Sequence, residues 1–418
     1  MPEIIVGRDK EDLKKYGNKG TILLGKNIVG KGFDIHLATE IKLDVVRPHI
    51  ILISGKRGTG KSYTSIAIAE EISKLPEEIK RNLCVIAIDT QGIFWSMKYP
   101  NLKQRELLTE WGLEPKKFDV EVYVPEGLKE RFEKEGIPYD KVYAISVEDI
   151  SFEEWCFSLQ IDPNGLEGIL LSKVMESLGK VKSLDILIEE IEKTDFEEKT
   201  KLMLKSKIEN TRRWGIFGDK GIDVSEILKP GKICIFDVSF FTSISETWSV
   251  RNLVVALLLK KIFDARVEAR RLEEIKEIEY EYSGRILPLP WIIIDEAHNF
   301  IPSEGITAST PILLKIVKEG RQPGISNIFI TQMPNKLHRE VLAQTDILIA
   351  HRLTAFADIQ ALKEIMHTYM IESIDKLIDE LPKEKGSAIL IDDNSERVYK
   401  VQIKPRQSWH SGESASAI

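Results

Sequence analysis

The chain has 418 residues, 43% of them hydrophobic and 30% charged, which argues against wholesale disorder and leaves enough apolar residues for a sizeable core. The length allows two or three domains. The formal net charge of −7 argues against a generally basic nucleic-acid binder, although it leaves room for a local basic surface.

The cysteines and the apolar runs indicate a reducing environment and no membrane segment. Cys84, Cys156 and Cys234 have neither the spacing of a disulfide framework nor a Cys-x-x-Cys pair. The first residues include no apolar stretch of signal-peptide length. The longest apolar run, 253–259, is too short to cross a bilayer. We therefore predict a cytoplasmic protein that does not enter a membrane.

In chain order, short alternating stretches in residues 1–46 predict small β elements. The runs that follow are apolar and β-branched without polar alternation, which is typical of strands buried on both faces of a parallel sheet. These runs are 49–54, 83–89, 232–238, 291–296, 327–332 and 346–353. Helical patterns, such as 62–75 and 250–261, separate them. We predict an α/β fold with a doubly wound, mostly parallel sheet.

About 140 residues separate the second of these runs from the third, which is too long for one crossover connection. The gap contains β-like pieces and, at 152–214, a strongly helical stretch. We predict an insertion at about 100–228 with a helical lobe, inside a core domain of residues 47–405.

The charged run at 264–285 is predicted to be a solvated helix end and a linker. Two more strands are expected near 386–393 and 397–405. Residues 406–418 are predicted to form a C-terminal tail with a small, polar, mobile end.

Residues 55–62 fit the phosphate-binding P-loop pattern in full, between a buried strand and an amphipathic helix. Glycines let successive backbone N–H groups face an anion, and the next helix presents its positive end. Lys61 is expected to contact the β- and γ-phosphates of ATP, and the Ser62 hydroxyl to bind Mg²⁺. The predicted nucleotide-binding residues are Gly55, Lys56, Arg57, Gly58, Thr59, Gly60, Lys61, Ser62 and Tyr63.

Polar residues at the ends of two other predicted strands suggest hydrolysis. Asp295 would complete the Mg²⁺ shell and Glu296 would activate the attacking water, although two acids can also simply end a strand. Gln332 would contact the γ-phosphate or the water, unless it is a buried glutamine paired with backbone. Arg321, on a turn, would reach the nucleotide of a neighbouring subunit, the alternative being a surface salt bridge.

A local basic surface that binds nucleic-acid phosphates would be formed by Lys and Arg side chains. The candidate segments are 92–98, whose aromatic residues would otherwise pack in the core, and 335–339, which would otherwise be a solvated helix start. His298 would link Glu296 to a DNA-contacting surface, or it is a hydrogen-bonded structural histidine.

The pieces "GKRGTGKS", "IDTQG", "LKPGKICIFDVS", "WIIIDEAHNF", "KEGRQPGISNIFITQMP", "ILIAHRL" and "KGSAILIDD" occur in this order. Together with the closing "VQIKPRQSWHSGE", they resemble the HerA branch of the HerA–FtsK superfamily of ring-forming P-loop ATPases. The resemblance implies a RecA-like core, with Lys61 and Ser62 in Walker A, Asp295 and catalytic Glu296 in Walker B, Gln332 as sensor and Arg321 as arginine finger. It also implies a homo-hexamer that moves along double-stranded DNA, with a nuclease of the NurA type or another effector in repair or antiviral defence.

Two departures from the family pattern stand out. Only residues 1–46 precede the core, where the family has a larger β-barrel that helps dock the nuclease, so this segment is expected to be a truncated barrel. Ile93 occupies the position of a glutamate that is frequent in relatives.

Other function classes remain as alternatives. One is an ATP-regulated ring that assembles an effector without translocating, and another is a monomeric P-loop enzyme that acts on a small substrate. The "DEAH" letters also occur in superfamily-2 RNA helicases, but no second RecA-like domain follows Gln332.

Overall fold

A single mixed sheet organises the fold. The computed structural model describes residues 3–30, 34–243, 247–279, 284–365 and 374–411. Within these ranges the strands are β1 (Ile4–Val6), β2 (Thr21–Val29), β3 (His36–Asp44), β4 (Ile50–Ser54), β5 (Leu83–Asp89), β6 (Val120–Pro125), β7 (Lys141–Tyr143), β8 (Ile233–Asp237), β9 (Leu289–Ile294), β10 (Ser326–Thr331), β11 (Ile347–His351), β12 (Ser387–Asp392) and β13 (Arg397–Ile403). Their order across the sheet is β1-β3-β2-β13-β12-β11-β4-β10-β9-β5-β8-β6-β7.

The strands from β11 to β7 in this order are parallel to one another, whereas β11 pairs with β12 in the antiparallel sense. β4, β5, β8, β9, β10 and β11 lie where the apolar runs of the sequence predict strands, and most of their residues are fully buried. Continuous apolar runs suit this block because both of its faces are covered. The predicted α/β fold with a mostly parallel sheet is confirmed.

Helices cover both faces of the sheet. They are α1 (Lys10–Tyr16), α2 (Lys61–Ser73), α3 (Glu77–Lys80), α4 (Arg105–Glu110), α5 (Lys129–Glu135), α6 (Phe152–Leu159), α7 (Leu166–Leu178), α8 (Leu184–Lys193), α9 (Glu198–Thr211), α10 (Thr247–Ile278), α11 (Thr310–Glu319), α12 (Arg339–Gln344), α13 (Phe356–Ile365) and α14 (Ile374–Asp379). Alternate residues of β5 enter two cores, one shared with α2 and the other with α6–α10. In the described ranges, no helix combines the length and the apolar character that crossing a bilayer requires.

Both ends of the chain join this sheet or its helices. β2 pairs with β13, so the strands of residues 1–46 extend the central sheet. After β13, the N–H groups of Gln407 and Ser408 donate to the buried Glu70 of α2, at 2.9 and 3.0 Å. Lys404 pairs with Glu71 at 3.0 Å. The predicted division at 46/47 and at 405/406 stays a prediction, and residues 412–418 of the predicted mobile end lie outside the described ranges.

The charged run at 264–285 differs from its prediction as a solvated helix end and linker. α10 continues through most of it and buries the side chain of Arg266, which donates to the Pro323 carbonyl at 2.9 Å. Glu273, also buried, pairs with Arg266 at 3.4 Å. A buried charge is stable when it is paired and hydrogen-bonded, and both conditions hold here. Residues 280–283, in the predicted linker, lie outside the described ranges.

A buried histidine joins three parts of the sheet. His49, which precedes β4, lies with Nδ1 2.7 Å from Asp346 and Nε2 3.3 Å from Asp44. Arg8 contacts the same Asp44 at 2.9 Å. Burial opposes a charge on His49, but the two carboxylates outweigh it and raise the pKa of His49 to about 10. Both ring nitrogens therefore carry protons that they donate to the aspartates.

We expect His49→Gln to destabilise the fold by about 1–3 kcal/mol near pH 7, because Asp346 loses its hydrogen-bonded positive partner while Asp44 keeps Arg8. The raised pKa means that the stabilisation from His49 is complete below about pH 6.5 and is lost as the pH rises through about 10. The measurement is thermal unfolding from pH 6 to pH 10.5. The variant should lose part of the pH dependence, whereas His36→Gln, at an exposed position, should keep it. Identical pH profiles for wild type and His49→Gln would contradict the assignment.

Candidate active site

The loop between β4 and α2 has the backbone that a phosphate-binding loop needs. Gly58 and Gly60 have φ angles of 79° and 114°, in the left-handed region that favours glycine. A Cβ on Gly55 would lie 2.6 Å from the Cβ of His351. These glycines are therefore required by backbone geometry and by close packing.

Residues at the end of β11 form hydrogen bonds to this loop and to the first turn of α2. The Lys56 N–H donates to the Arg352 carbonyl at 2.9 Å. Burial lowers the pKa of His351 to about 4, so its ring is neutral at neutral pH. His351 Nδ1 lies 3.1 Å from the Ser387 carbonyl and therefore carries the proton, while Nε2 accepts from the Thr64 hydroxyl at 2.9 Å.

The side chains of the predicted P-loop residues point in different directions. Lys61 is mostly buried, and its Nζ donates to the Lys56 carbonyl at 3.1 Å. Burial lowers the pKa of Lys61, while Glu296 and Asp295 favour its charged form. The Tyr63 hydroxyl instead bonds to Gln104, at 2.8 Å, within the surrounding protein. The hydroxyl of Tyr63 is therefore engaged away from the loop.

Asp295 follows β9 and is fully buried at the same edge of the sheet. Its Oδ2 accepts from the Thr90 hydroxyl at 3.2 Å. Burial, with the nearby charges of Glu296 and Asp89, raises the pKa of Asp295 to about 7. A positive charge brought to this carboxylate would favour its ionised form.

Glu296 has an unusual backbone conformation, and two amides hold its carboxylate. Its φ of 50° is in the left-handed region, which costs a non-glycine residue about 1–3 kcal/mol. Its Oε1 accepts from the side-chain amides of Gln332, at 3.0 Å, and of Gln91, at 3.3 Å. Oε2 is buried and has no hydrogen-bond partner among the described residues. Burial raises the pKa of Glu296, against the effects of Lys61 and the two amides.

The structure thus brings together Lys61, Asp295, Glu296 and Gln332, as the sequence predicts. It also adds Thr90 and Gln91, to which the sequence analysis gives no role. The sequence position of Thr90 and Gln91 could have indicated this, because polar residues directly after a buried parallel strand lie at the edge where ligands bind.

Arg321 lies away from the P-loop of its own chain. It is exposed on the turn that precedes β10, whereas the P-loop follows the end of β4, the parallel neighbour of β10. The two therefore lie at opposite edges of the sheet. Arg266 fixes this turn, because its guanidinium donates to the carbonyls of Pro323, at 2.9 Å, and of Leu287, at 2.8 Å.

The two segments considered for DNA contact differ in exposure. In 92–98, Phe94 is fully buried and Lys98 pairs with Asp140 at 2.7 Å, which agrees with core packing. In 335–339, Lys336 and Arg339 are exposed.

His298 has the contacts of a structural histidine. Burial, followed by the charge of Lys336, lowers the pKa of His298 to about 4. Its Nε2 accepts from the Asn299 amide at 3.2 Å, so Nδ1 carries the proton and donates to the Thr331 hydroxyl at 3.0 Å. This neutral ring packs the end of β10 against the Glu296 turn.

The residues present fit a magnesium ion that arrives with a nucleotide. Ser62 and Asp295 offer a hydroxyl and a carboxylate, the oxygen ligands that Mg²⁺ prefers. Across the described ranges no three His, Cys, Asp or Glu side chains group as a metal site. Mg²⁺ in such sites takes one or two protein ligands and completes its shell with phosphates and water, so a sparse donor set is sufficient.

Comparisons with known proteins show the family to which this chain belongs. Residues 24–262, more than half of the chain, match a family model described as the central domain of helicase HerA. A probable DNA double-strand break repair helicase HerA of Methanocaldococcus jannaschii is 23% identical over 368 residues, which cover 82% of this chain and 68% of that protein. The helicase HerA of Sulfurisphaera tokodaii is 21% identical over 389 residues, covering 91% and 68%. VirB4 of Thermoanaerobacter pseudethanolicus has a similar fold, with a TM-score of 0.60 at 14% identity over 93% of this chain and 97% of that one.

We expect Glu296→Gln to lower ATP hydrolysis by about 10²- to 10⁴-fold while nucleotide binding persists, because the amide still accepts at Oε1 but cannot take a proton. Lys61→Ala should instead abolish nucleotide binding. Turnover and the binding of a fluorescent ATP analogue measure the two effects. Glu396→Gln is the matched control, an exposed glutamate with a similar φ of 52°. Wild-type turnover in Glu296→Gln would contradict the role of this carboxylate.

Proposed function

The chain belongs to the helicase HerA central-domain family and is a P-loop ATPase, and from this premise we propose that it is a ring-forming motor that moves along double-stranded DNA. The observation that carries the proposal is the Glu296 carboxylate beside the P-loop, which is held by two amides and whose buried Oε2 has no hydrogen-bond partner in the part of the chain that the structure describes. A buried carboxylate with one free oxygen is suited to polarise a water molecule.

Each side chain at this edge has one proposed task. Lys61 and the loop N–H groups bind the phosphates of ATP, and Ser62 and Asp295 hold Mg²⁺, which would neutralise phosphate charge. Glu296 takes a proton from the attacking water. Gln332, which donates to Glu296, senses the γ-phosphate.

Arg321 is proposed to complete the site of the adjacent subunit. Its exposure and its place at the opposite edge support this role, because head-to-tail packing in a ring sets one edge of a subunit against the other edge of the next. A homo-hexamer is the proposed assembly.

Duplex DNA would be gripped without sequence preference by Lys and Arg side chains that meet its phosphates. The exposed Lys336 and Arg339 are the better candidates, since Lys98 is already paired. A nuclease of the NurA type or another effector is the proposed partner, in end processing or in antiviral defence.

Mixing inactive subunits tests the shared site. Rings of Glu296→Gln alone should lose about 10²- to 10⁴-fold of turnover. Rings of Arg321→Ala alone should lose about 10³-fold or more. Random mixing at equal amounts would leave about one interface in four with both groups intact in a head-to-tail ring. We expect ATPase activity, and its stimulation by duplex DNA, to return in the mixture.

No recovery in mixed particles whose hexameric mass is verified would exclude action across the interface. ATPase activity that returns but does not respond to DNA would instead favour a scaffold over a motor.

The turn that carries Arg321 provides a second test. Arg266→Met removes the donors to Pro323 and Leu287, so we expect turnover to fall about 10- to 100-fold through misplacement of Arg321. If so, Arg266→Met subunits should regain activity when mixed with Glu296→Gln subunits, as Arg321→Ala subunits do. Arg270→Met, a more exposed arginine on the same helix, is the control. Full activity of folded Arg266→Met rings would contradict the positioning role.

A further inference from the structure

The Glu296 carboxylate receives its two donors from different strand ends. Gln332 follows β10 directly, and its amide has a second proposed task at the γ-phosphate. Gln91 comes from the loop after β5, and its amide donates to the same Oε1 at 3.3 Å. Gln91 would therefore be the donor that remains on the carboxylate if Gln332 turned to the nucleotide.

The backbone that carries Gln91 is fixed by one buried carboxylate. Asp89, at the end of β5, accepts from four successive N–H groups, those of Gln91, Gly92, Ile93 and Phe94, at 3.1, 2.8, 2.8 and 2.7 Å. The first turn of segment 92–98 is therefore anchored as one unit with Gln91.

The rest of segment 92–98 is tied to this turn. The Trp95 indole donates to the Gly92 carbonyl at 2.9 Å. The Ser96 hydroxyl lies 2.6 Å from the Ile93 carbonyl. The segment is therefore tied directly to the end of β5 through Asp89, whereas the side chain of Gln91 is exposed.

We propose that Gln91 is a positioning residue for the Glu296 carboxylate, and that contact of DNA with the exposed Gln91 side chain changes the rate of ATP hydrolysis. The inference rests on the proposed function, since it assigns hydrolysis to Glu296 and DNA binding to the chain. Such a contact would alter the Gln91 amide bond to Glu296 and so alter turnover.

The test uses the full chain and compares Gln91→Ala, Gln91→Glu and wild type. Single-turnover ATP hydrolysis with and without duplex DNA and the Kd for a fluorescent ATP analogue are measured. We expect both variants to hydrolyse about 10- to 100-fold more slowly with Kd changed less than about twofold, because a misplaced base affects only the chemical step. Gln91→Glu keeps the shape of the side chain but lacks the donor, so it should be at least as slow as Gln91→Ala. In both variants stimulation by DNA should fall towards none.

Gln360→Ala, an exposed glutamine on α13, is the control and should behave as wild type. Wild-type rates in Gln91→Glu, or losses explained by weaker nucleotide binding, would overturn the positioning role. Unchanged stimulation by DNA in a slow Gln91→Ala would overturn the coupling. Glu296→Gln in the same assay distinguishes failure of the proposed function from failure of this inference. Full activity of Glu296→Gln would remove the proposed function. An inactive Glu296→Gln beside a fully active Gln91→Ala would remove this inference alone.

Discussion

The parallel pairing of β4, β10, β9 and β5 places the ends of four strands at one edge of the sheet. Thr331 pairs with Ser54, Phe329 with Ile294, and Ile88 with Ile294. The residues that follow these ends are the P-loop, Gln332, the Asp295–Glu296 pair and the loop that carries Gln91. An antiparallel neighbour in this block would carry its following loop to the other edge, so the site depends on this pairing.

Burial at this edge has an electrostatic consequence. Desolvation raises the pKa of Asp89, Asp295 and Glu296 and lowers that of Lys61. Burial therefore disfavours the charged forms of these groups, and positive charge that enters the site would favour the ionised carboxylates. The protein offsets part of this cost with neutral donors, namely Thr90 on Asp295 and the two glutamines on Glu296. Amide donors orient Glu296 without supplying a charge that would quench its basicity.

Much of the fold follows from local pattern in the sequence. The apolar runs predict the central strands, and the P-loop, Asp295 and Gln332 are found because each lies directly after such a run. The contact of Gln91 with Glu296 could not be predicted in this way, since the two residues are 205 positions apart and the order of strands in the sheet is not written in any single run. The pairing of β2 with β13 could not be predicted from the sequence for the same reason. Contacts between distant segments depend on the order of the strands in the sheet, and several strand orders fit the same sequence pattern equally well.

Arg266 shows a different limit of sequence analysis. A charged run indicates solvent because isolated charges are costly to bury, yet the guanidinium here is fully buried between two carbonyls and Glu273. The buried guanidinium is stable because two carbonyl oxygens accept hydrogen bonds from it. One lies in the Arg321 turn and the other lies before β9, and neither has a partner strand. The arginine and the turn are therefore mutually dependent, since each satisfies polar groups that the other would leave buried and unpaired. One edge of the sheet is thus organised around a carboxylate held by amides, and the other around a guanidinium held by carbonyls.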